Sequence, residues 1–305
     1  DTRIRVQKAI EKLGYKPNAI AQGLALSKTT TVSIVMGEKM FPYHAKILNG
    51  LMDVAKIYNY NIMFHTTSKG ISKMQDVIES IIKSRVDGVI LFNDNFSEDE
   101  LEVLNEYQIP MVIVGSKIPK TNIANVGNVY VDFEQMAYDL VNTCFEKGIE
   151  DIALVEDKLN LSMMEQLKNG IDKAYEEKGK KFEKYISYDD SYKSSYVFLT
   201  EHFKQMKPSQ MVITLRDSQA IAVLNASSEA GYKVPDDYEL ICVLNNKYLN
   251  MVRPHISSYN IPEYDMGAVA MRLLTKMLVE DKDKKQPLNK EIEMTYSFLK
   301  RSSVK

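Results

Sequence analysis

Basic side chains at regular spacing are the residues of this chain best suited to chemistry, and that chemistry is phosphate binding. Arg3, Arg5, Lys8 and Lys12 lie close together at the start, where cationic side chains could neutralise phosphates. Near the other end, Asp265, Arg272 and Lys276 differ by seven and four residues, so on a helix they share one stripe with Tyr264 beside it. Arg and Lys next to an aromatic ring suit a protein partner carrying a phosphoserine, because phosphate accepts charge-assisted, forked hydrogen bonds. An ordinary solvated helix face has the same pattern, and spacing alone leaves both readings open. Residues 1–28 hold six Lys/Arg against Asp1 and Glu11, a local charge of +4 in a chain whose net charge is −2. A basic arm on an acidic body suits nucleic acid; the alternative is an amphipathic helix packed on its own domain.

Bond-making chemistry has no comparable signature. The chain lacks a Walker loop, GxSxG, HExxH, CxxC and GxGxxG, and its four histidines, His44, His65, His202 and His255, show no metal-ligand spacing. Neither an enzyme nor a metal or cofactor is expected. Asp189-Asp190 and Asp236-Asp237 sit in turn-like contexts where Asp bonds locally to the backbone. Cys144 and Cys242 fall in apolar patterns and are expected to be buried, reduced thiols of a cytoplasmic protein. The composition, 45% hydrophobic and 26% charged, is that of a globular chain long enough for two cores. No apolar run approaches a membrane span, and the first residues do not resemble a signal peptide.

The elements that must position these groups alternate. Val6, Ile10 and Leu13, with Ala9, line one face of a first helix that Gly14 stops; Asn18 could cap a short second helix over 19–26. Strands are predicted at 31–36, 61–65, 88–92, 111–115, 151–155, 185–188, 211–215 and 238–243. Helices are predicted at 44–58, 71–84, 98–107, 133–146, 162–178, 192–206, 218–230 and 263–280, followed by a polar linker at 281–290 and two short strand-like pieces. Apolar strands separated by amphipathic helices predict two doubly wound parallel-sheet subdomains, an α/β fold with ligands outside the carboxyl ends of the strands.

The stretch DTRIRVQKAIEKLGYKPNAIAQGLALSKTTTVSIVM is similar to the headpiece–core junction of LacI/GalR-family transcription regulators. MVRP at 251–254 and the run Tyr264–Lys276 (YDMGAVAMRLLTK) resemble members of carbon catabolite type. The resemblance implies a periplasmic-binding-protein-like type I core in a cytoplasmic homodimer that binds operator DNA. It further implies three crossings between subdomains, near 129–133, 258–262 and 290–294. The expected division is 1–28 as headpiece remnant and hinge helix, 29–131 with 260–291 as the N-terminal subdomain, and 132–259 with 292–305 as the C-terminal subdomain. Members of the family begin with two further helices that read the major groove, so this 305-residue chain is expected to bind operator only weakly. In the hinge, Leu24 matches the family's minor-groove wedge, Ala21 and Gly23 permit close approach, and Asn18, Gln22 and Lys28 could reach phosphates or groove edges.

Two control surfaces follow from the same resemblance. Around the cleft, sugar-sensing members place an Arg where this chain has Leu167, an Asn-Asp or Thr-Asp pair where it has Arg216-Asp217, and a carboxylate where it has Asn245. Because a buried sugar hydroxyl without a partner costs about 1–3 kcal/mol, these changes speak against a dedicated sugar effector, although Phe41, Tyr43, Asn93 and Asp94 could line the mouth. On the outside, the helix carrying Tyr264, Asp265, Arg272 and Lys276, with Tyr58 at the end of the first core helix, matches the docking site for serine-phosphorylated HPr. A sugar-responsive repressor and, more distantly, a solute-binding protein are the alternatives.

Overall fold

Runs of β-branched and other apolar residues make strands buried on both faces, and the helices between them supply the cover. The computed structural model describes residues 2–14, 28–67, 74–92, 96–188, 191–279 and 288–305. It opens with α1 (Thr2–Leu13), β1 (Thr31–Gly37), a 3₁₀ turn (Glu38–Tyr43), α2 (Ala45–Ile57) and β2 (Asn61–Thr67). Next come α3 (Met74–Ser84), β3 (Gly88–Phe92), α4 (Glu98–Glu106), β4 (Met111–Ser116), β5 (Val126–Val131) and α5 (Phe133–Glu146). The second half holds β6 (Ile152–Val155), α6 (Leu161–Glu177), β7 (Tyr185–Ile186), α7 (Tyr192–Gln205), β8 (Met211–Thr214), α8 (Asp217–Glu229) and β9 (Glu239–Leu244). It closes with a 3₁₀ turn (Lys247–Asn250), β10 (Ser257–Asn260), α9 (Glu263–Val279), β11 (Glu291–Glu293) and β12 (Ser297–Leu299).

The strands form two sheets, ordered β11-β5-β4-β3-β1-β2 and β12-β10-β9-β8-β6-β7. Every described pairing is parallel except β10 with β12. Each sheet changes winding direction once, between β1 and β3 in the first and between β6 and β8 in the second, and ligands of such sheets collect outside those carboxyl ends. Among the described residues the chain passes between the sheets three times: after β5, after β10, and between β11 and β12. Helix α9 therefore returns to pack on α2 and the first sheet.

Strands β5 and β10 and the two 3₁₀ turns lie where the sequence predicted no element. Val126–Val131 forms a fully buried strand, β5, where Gly127 and Asn128 interrupt the apolar run. The Asn128 amide is tolerated there because it donates to the Ile113 and Ser116 carbonyls and accepts the Ile118 N–H. Residues 38–43, between the predicted strand and helix, wind into a 3₁₀ turn.

The closest helix contact in the first lobe joins α2 to α9. A β-carbon on Gly267 would lie 1.9 Å from the Ile47 carbonyl oxygen, and one on Gly50 would lie 1.9 Å from that of Tyr264. Both contacts are backbone, so no side-chain rotation relieves them. Gly267→Ala should cost about 1–3 kcal/mol through forced separation of the helices, measured as a lower urea midpoint with unchanged slope. Wild-type stability in that variant would refute the packing argument.

Candidate functional site

The two changes of winding direction face one another across the lobes. Arg216 follows β8 and Asp157 follows β6, neighbouring strands in the second sheet; Tyr43 ends the 3₁₀ turn after β1. Gln219 shapes the turn that carries Arg216, its Oε1 accepting from the Leu215 and Arg216 amides at 3.1 Å each while its Nε2 donates to the Glu156 carbonyl. The Arg216 Nε then donates to the Asp157 carboxylate, and the pair is sealed, with side chains 4% and 0% exposed. The other Asp157 oxygen accepts from the Leu159 and Asn160 amides and from the Asn160 side chain. Arg216 also crosses the cleft: its Nη1 lies 3.4 Å from the Tyr43 hydroxyl and its guanidinium carbon 5.6 Å from that ring's centre.

A cavity of about 560 Å³ opens at this point, with Tyr43, Lys46, Arg216, Asp217, Asn245 and Glu263 in its lining. Lys46 and Glu263 form an ion pair at 3.1 Å, while burial raises the Glu263 carboxyl above its usual range. Burial likewise raises Asp217. The Asn245 side-chain carbonyl accepts from the Ser258 hydroxyl and, at 2.9 Å, from Arg301 near the C-terminus. Of the other cleft candidates, Leu167 is buried in the core of α6. Phe41 is half exposed and packs toward Phe64 at 5.9 Å. Neither lines this cavity. Asn93 and Asp94 lie outside the described residues. Sequence reasoning missed Asp157; the signal was an acid two residues past one strand and Arg216 at the same end of another, useful only once the strands are known to be neighbours.

His44, between Tyr43 and α2, has its Nε2 sealed without a partner among the described residues, and its ring lies 4.7 Å from Phe92. Burial lowers its pKa from 6.5 to about 4. Between those values the unfolded chain binds a proton that the folded chain refuses, so stability falls as pH falls through that window, by about 2–3 kcal/mol. His44→Phe should remove this component, seen as a smaller difference between urea midpoints at about pH 7 and about pH 4.5 than in the wild type. An unchanged difference would exclude His44 as its source.

On the outer face, Tyr264, Asp265, Arg272 and Lys276 are all exposed on α9, while Met266, Ala270 and Leu273 are buried. Tyr264 donates to Asp53 of α2 at 3.0 Å, which raises its hydroxyl pKa; Arg272 is near enough to oppose that rise. Ile57 and Tyr58 at the end of α2 are exposed, 71% and 48%. Neither Arg272 nor Lys276 makes an ion pair with another described residue.

In the arm, α1 presents Arg3, Arg5, Lys8 and Lys12 to solvent and leaves Val6 and Leu13 exposed as well, so the described core does not cover its apolar face. Gly14 stops it with φ +58°. Asn18, Ala21, Gln22 and Leu24 lie outside the described residues. Lys28 is exposed, and just after it the Thr29 and Thr30 amides donate to the Asp87 carboxylate, pinning the start of the core. Cys144 and Cys242 are free and buried. No described helix is long and apolar enough to cross a membrane.

Two three-layer lobes joined by three crossings, with their strand ends facing one cleft, define a periplasmic-binding-protein-like core, and the family described as a periplasmic binding protein-like domain matches residues 141–304. The chain belongs to the LacI family of transcription regulators. It is 30% identical to catabolite control protein A of Staphylococcus epidermidis over 92% of this chain and 84% of that one. It is 33% identical to that of Priestia megaterium over 91% and 83%. Among solved structures, the transcription regulator CcpA of Lactococcus lactis superposes with a TM-score of 0.74 at 27% identity, covering 90% of this chain and 99% of that one. The CelR–cellobiose complex, at 22% identity and a TM-score of 0.75, shares the fold over 99% of this chain and 90% of its own.

Proposed function

We propose that this protein is a cytoplasmic, homodimeric transcription regulator of catabolite control type that binds operator DNA and is controlled by serine-phosphorylated HPr docking on the α2–α9 face. The observation that carries this reading is the pair of exposed cations, Arg272 and Lys276, on the same helix stripe as exposed Tyr264, with Ile57 and Tyr58 also exposed at the end of the packed helix α2. A phosphoserine brings nearly two negative charges and three acceptor oxygens to such a pair, while the exposed apolar side chains supply the surrounding contact. The relatives named catabolite control protein A add weight to the regulatory role. No catalytic step is assigned to the protein.

The cleft fits this assignment by what already occupies it. Two charged groups that could orient a sugar are already paired within the chain: Arg216 with Asp157, and Lys46 with Glu263. A sugar-responsive repressor is the second reading, favoured by the cavity of about 560 Å³. The proposed units are 1–28 as arm and hinge, 29–131 with 260–291, and 132–259 with 292–305. A pull-down with HPr, phosphorylated on serine or not, tests the main reading. Capture of the phosphorylated form alone is expected; equal capture of both, or of neither, would overturn it.

A further inference from the structure

At the amino ends of β8 and β9, opposite the ends that carry Arg216 and Asn245, α5 leaves part of the second sheet uncovered. A cavity of about 260 Å³ lies there, between α5, the start of β9 and the β10–β12 edge, room for roughly eight to ten heavy atoms. One wall is aromatic. The Tyr259 ring centre is 5.7 Å from Tyr296 at 83° and 5.2 Å from Phe298 at 59°. Glu239, 5% exposed, also lines the cavity. Its Oε1 accepts the Lys305 amide at 3.0 Å, but its Oε2 is buried with no partner among the described residues. Asp139 adds a second carboxylate to the lining, close enough to Tyr259 and Tyr296 to act on both hydroxyls. Among the lining residues Lys147 alone is cationic, and its Nζ approaches the Lys305 carbonyl, at 3.5 Å.

Two physical demands converge on this cavity. A buried carboxylate oxygen without a donor is costly and calls for a hydrogen-bonding or cationic partner. Aromatic faces attract cations and accept apolar bodies. We propose that this cavity is a binding site for a small organic cation, an amine or guanidine on an aliphatic or aromatic body, with its charged end drawn to the Glu239 and Asp139 carboxylates and its body against Tyr259, Tyr296 and Phe298. The site is separate from both the cleft and the α2–α9 face, and a ligand that binds only the folded chain there would stabilise it by mass action.

The test uses the full chain with phenethylamine, its neutral isostere 2-phenylethanol and the anion 3-phenylpropanoate, read by isothermal titration and by thermal midpoint. Phenethylamine is expected to bind with a Kd below about 1 mM and to raise the midpoint. The alcohol and the anion should bind at least about tenfold more weakly, and Glu239→Gln should weaken the amine by a similar factor. Should Glu239→Gln fail to fold, Phe298→Ala, half exposed at the rim, replaces it and should also weaken the amine. Equal binding of amine and alcohol would reduce the cavity to an apolar crevice and overturn the proposal. Absence of amine binding up to about 10 mM would overturn it as well, leaving water as the occupant.

Discussion

Replacing Arg216 with Met should destabilise the folded chain by about 3–5 kcal/mol, because it leaves the Asp157 carboxylate buried without its cation. The side chain of Asp157 has no exposed surface, so water cannot take the place of the guanidinium. Three donors remain on its other oxygen, which places the expected loss toward the lower end of that range. Neutralising the orphaned charge should recover much of it. Arg216→Met combined with Asp157→Asn keeps an acceptor for the Leu159 and Asn160 amides while removing the unpaired charge, so the two substitutions should couple by about 2 kcal/mol. Urea unfolding of the two single variants and the double variant measures this. A loss below about 1 kcal/mol for Arg216→Met would show that the pair contributes no more than a surface ion pair does.

Arg272→Glu should weaken binding of serine-phosphorylated HPr at least about a hundredfold, which is about 2.7 kcal/mol. It exchanges a forked donor for a repelling carboxylate at the point assigned to the phosphate. Lys276→Glu should cost less, about tenfold, since an ammonium is a point charge without the planar fork. Both residues are exposed, and surface substitutions of this kind leave stability within about half a kcal/mol, so lost affinity would report the surface and not unfolding. Fluorescence anisotropy with labelled phospho-HPr gives both constants. An Arg272→Glu affinity within about twofold of the wild type would remove the α2–α9 face from the mechanism.

Much of this architecture was legible in the residues. The apolar runs TVSIVM, GVILF and IALV, each separated by helices with one apolar face, specify buried parallel strands, and these strands are observed. The outward stripe of α9 was equally direct, since buried Met266, Ala270 and Leu273 leave Asp265, Arg272 and Lys276 on the opposite side. What escaped depends on neighbours distant in sequence. Strand β5 was hidden because Gly127 and Asn128 break its apolar pattern, and Asn128 is acceptable only through carbonyls supplied by β4. The Arg216–Asp157 pair was hidden because residues 59 apart meet only when β6 and β8 are adjacent. Arg216 therefore read as the loss of a polar pair, whereas in the fold its guanidinium pairs with Asp157 and reaches across the cleft to Tyr43. The aromatic and acidic cavity behind α5 was hidden for the same reason, its lining being gathered from α5, β8, β9, β10 and the C-terminal segment.

The glycine contact between α2 and α9 has a mechanical meaning. Where Gly50 and Gly267 meet the opposite helix, no side chain lies between the two backbones, so the joint has no compressible layer and neither helix can shift far without carrying the other. The same two helices bear Tyr264 and Arg272 on their outer surface and reach the cleft through Lys46 and Glu263. Outer face and cleft are thus opposite sides of a single stiff plate. A molecule whose binding outside tilts the plate would do work on the cleft, and by reciprocity a cleft ligand that favours the same tilt would strengthen the outer grip by the same free energy.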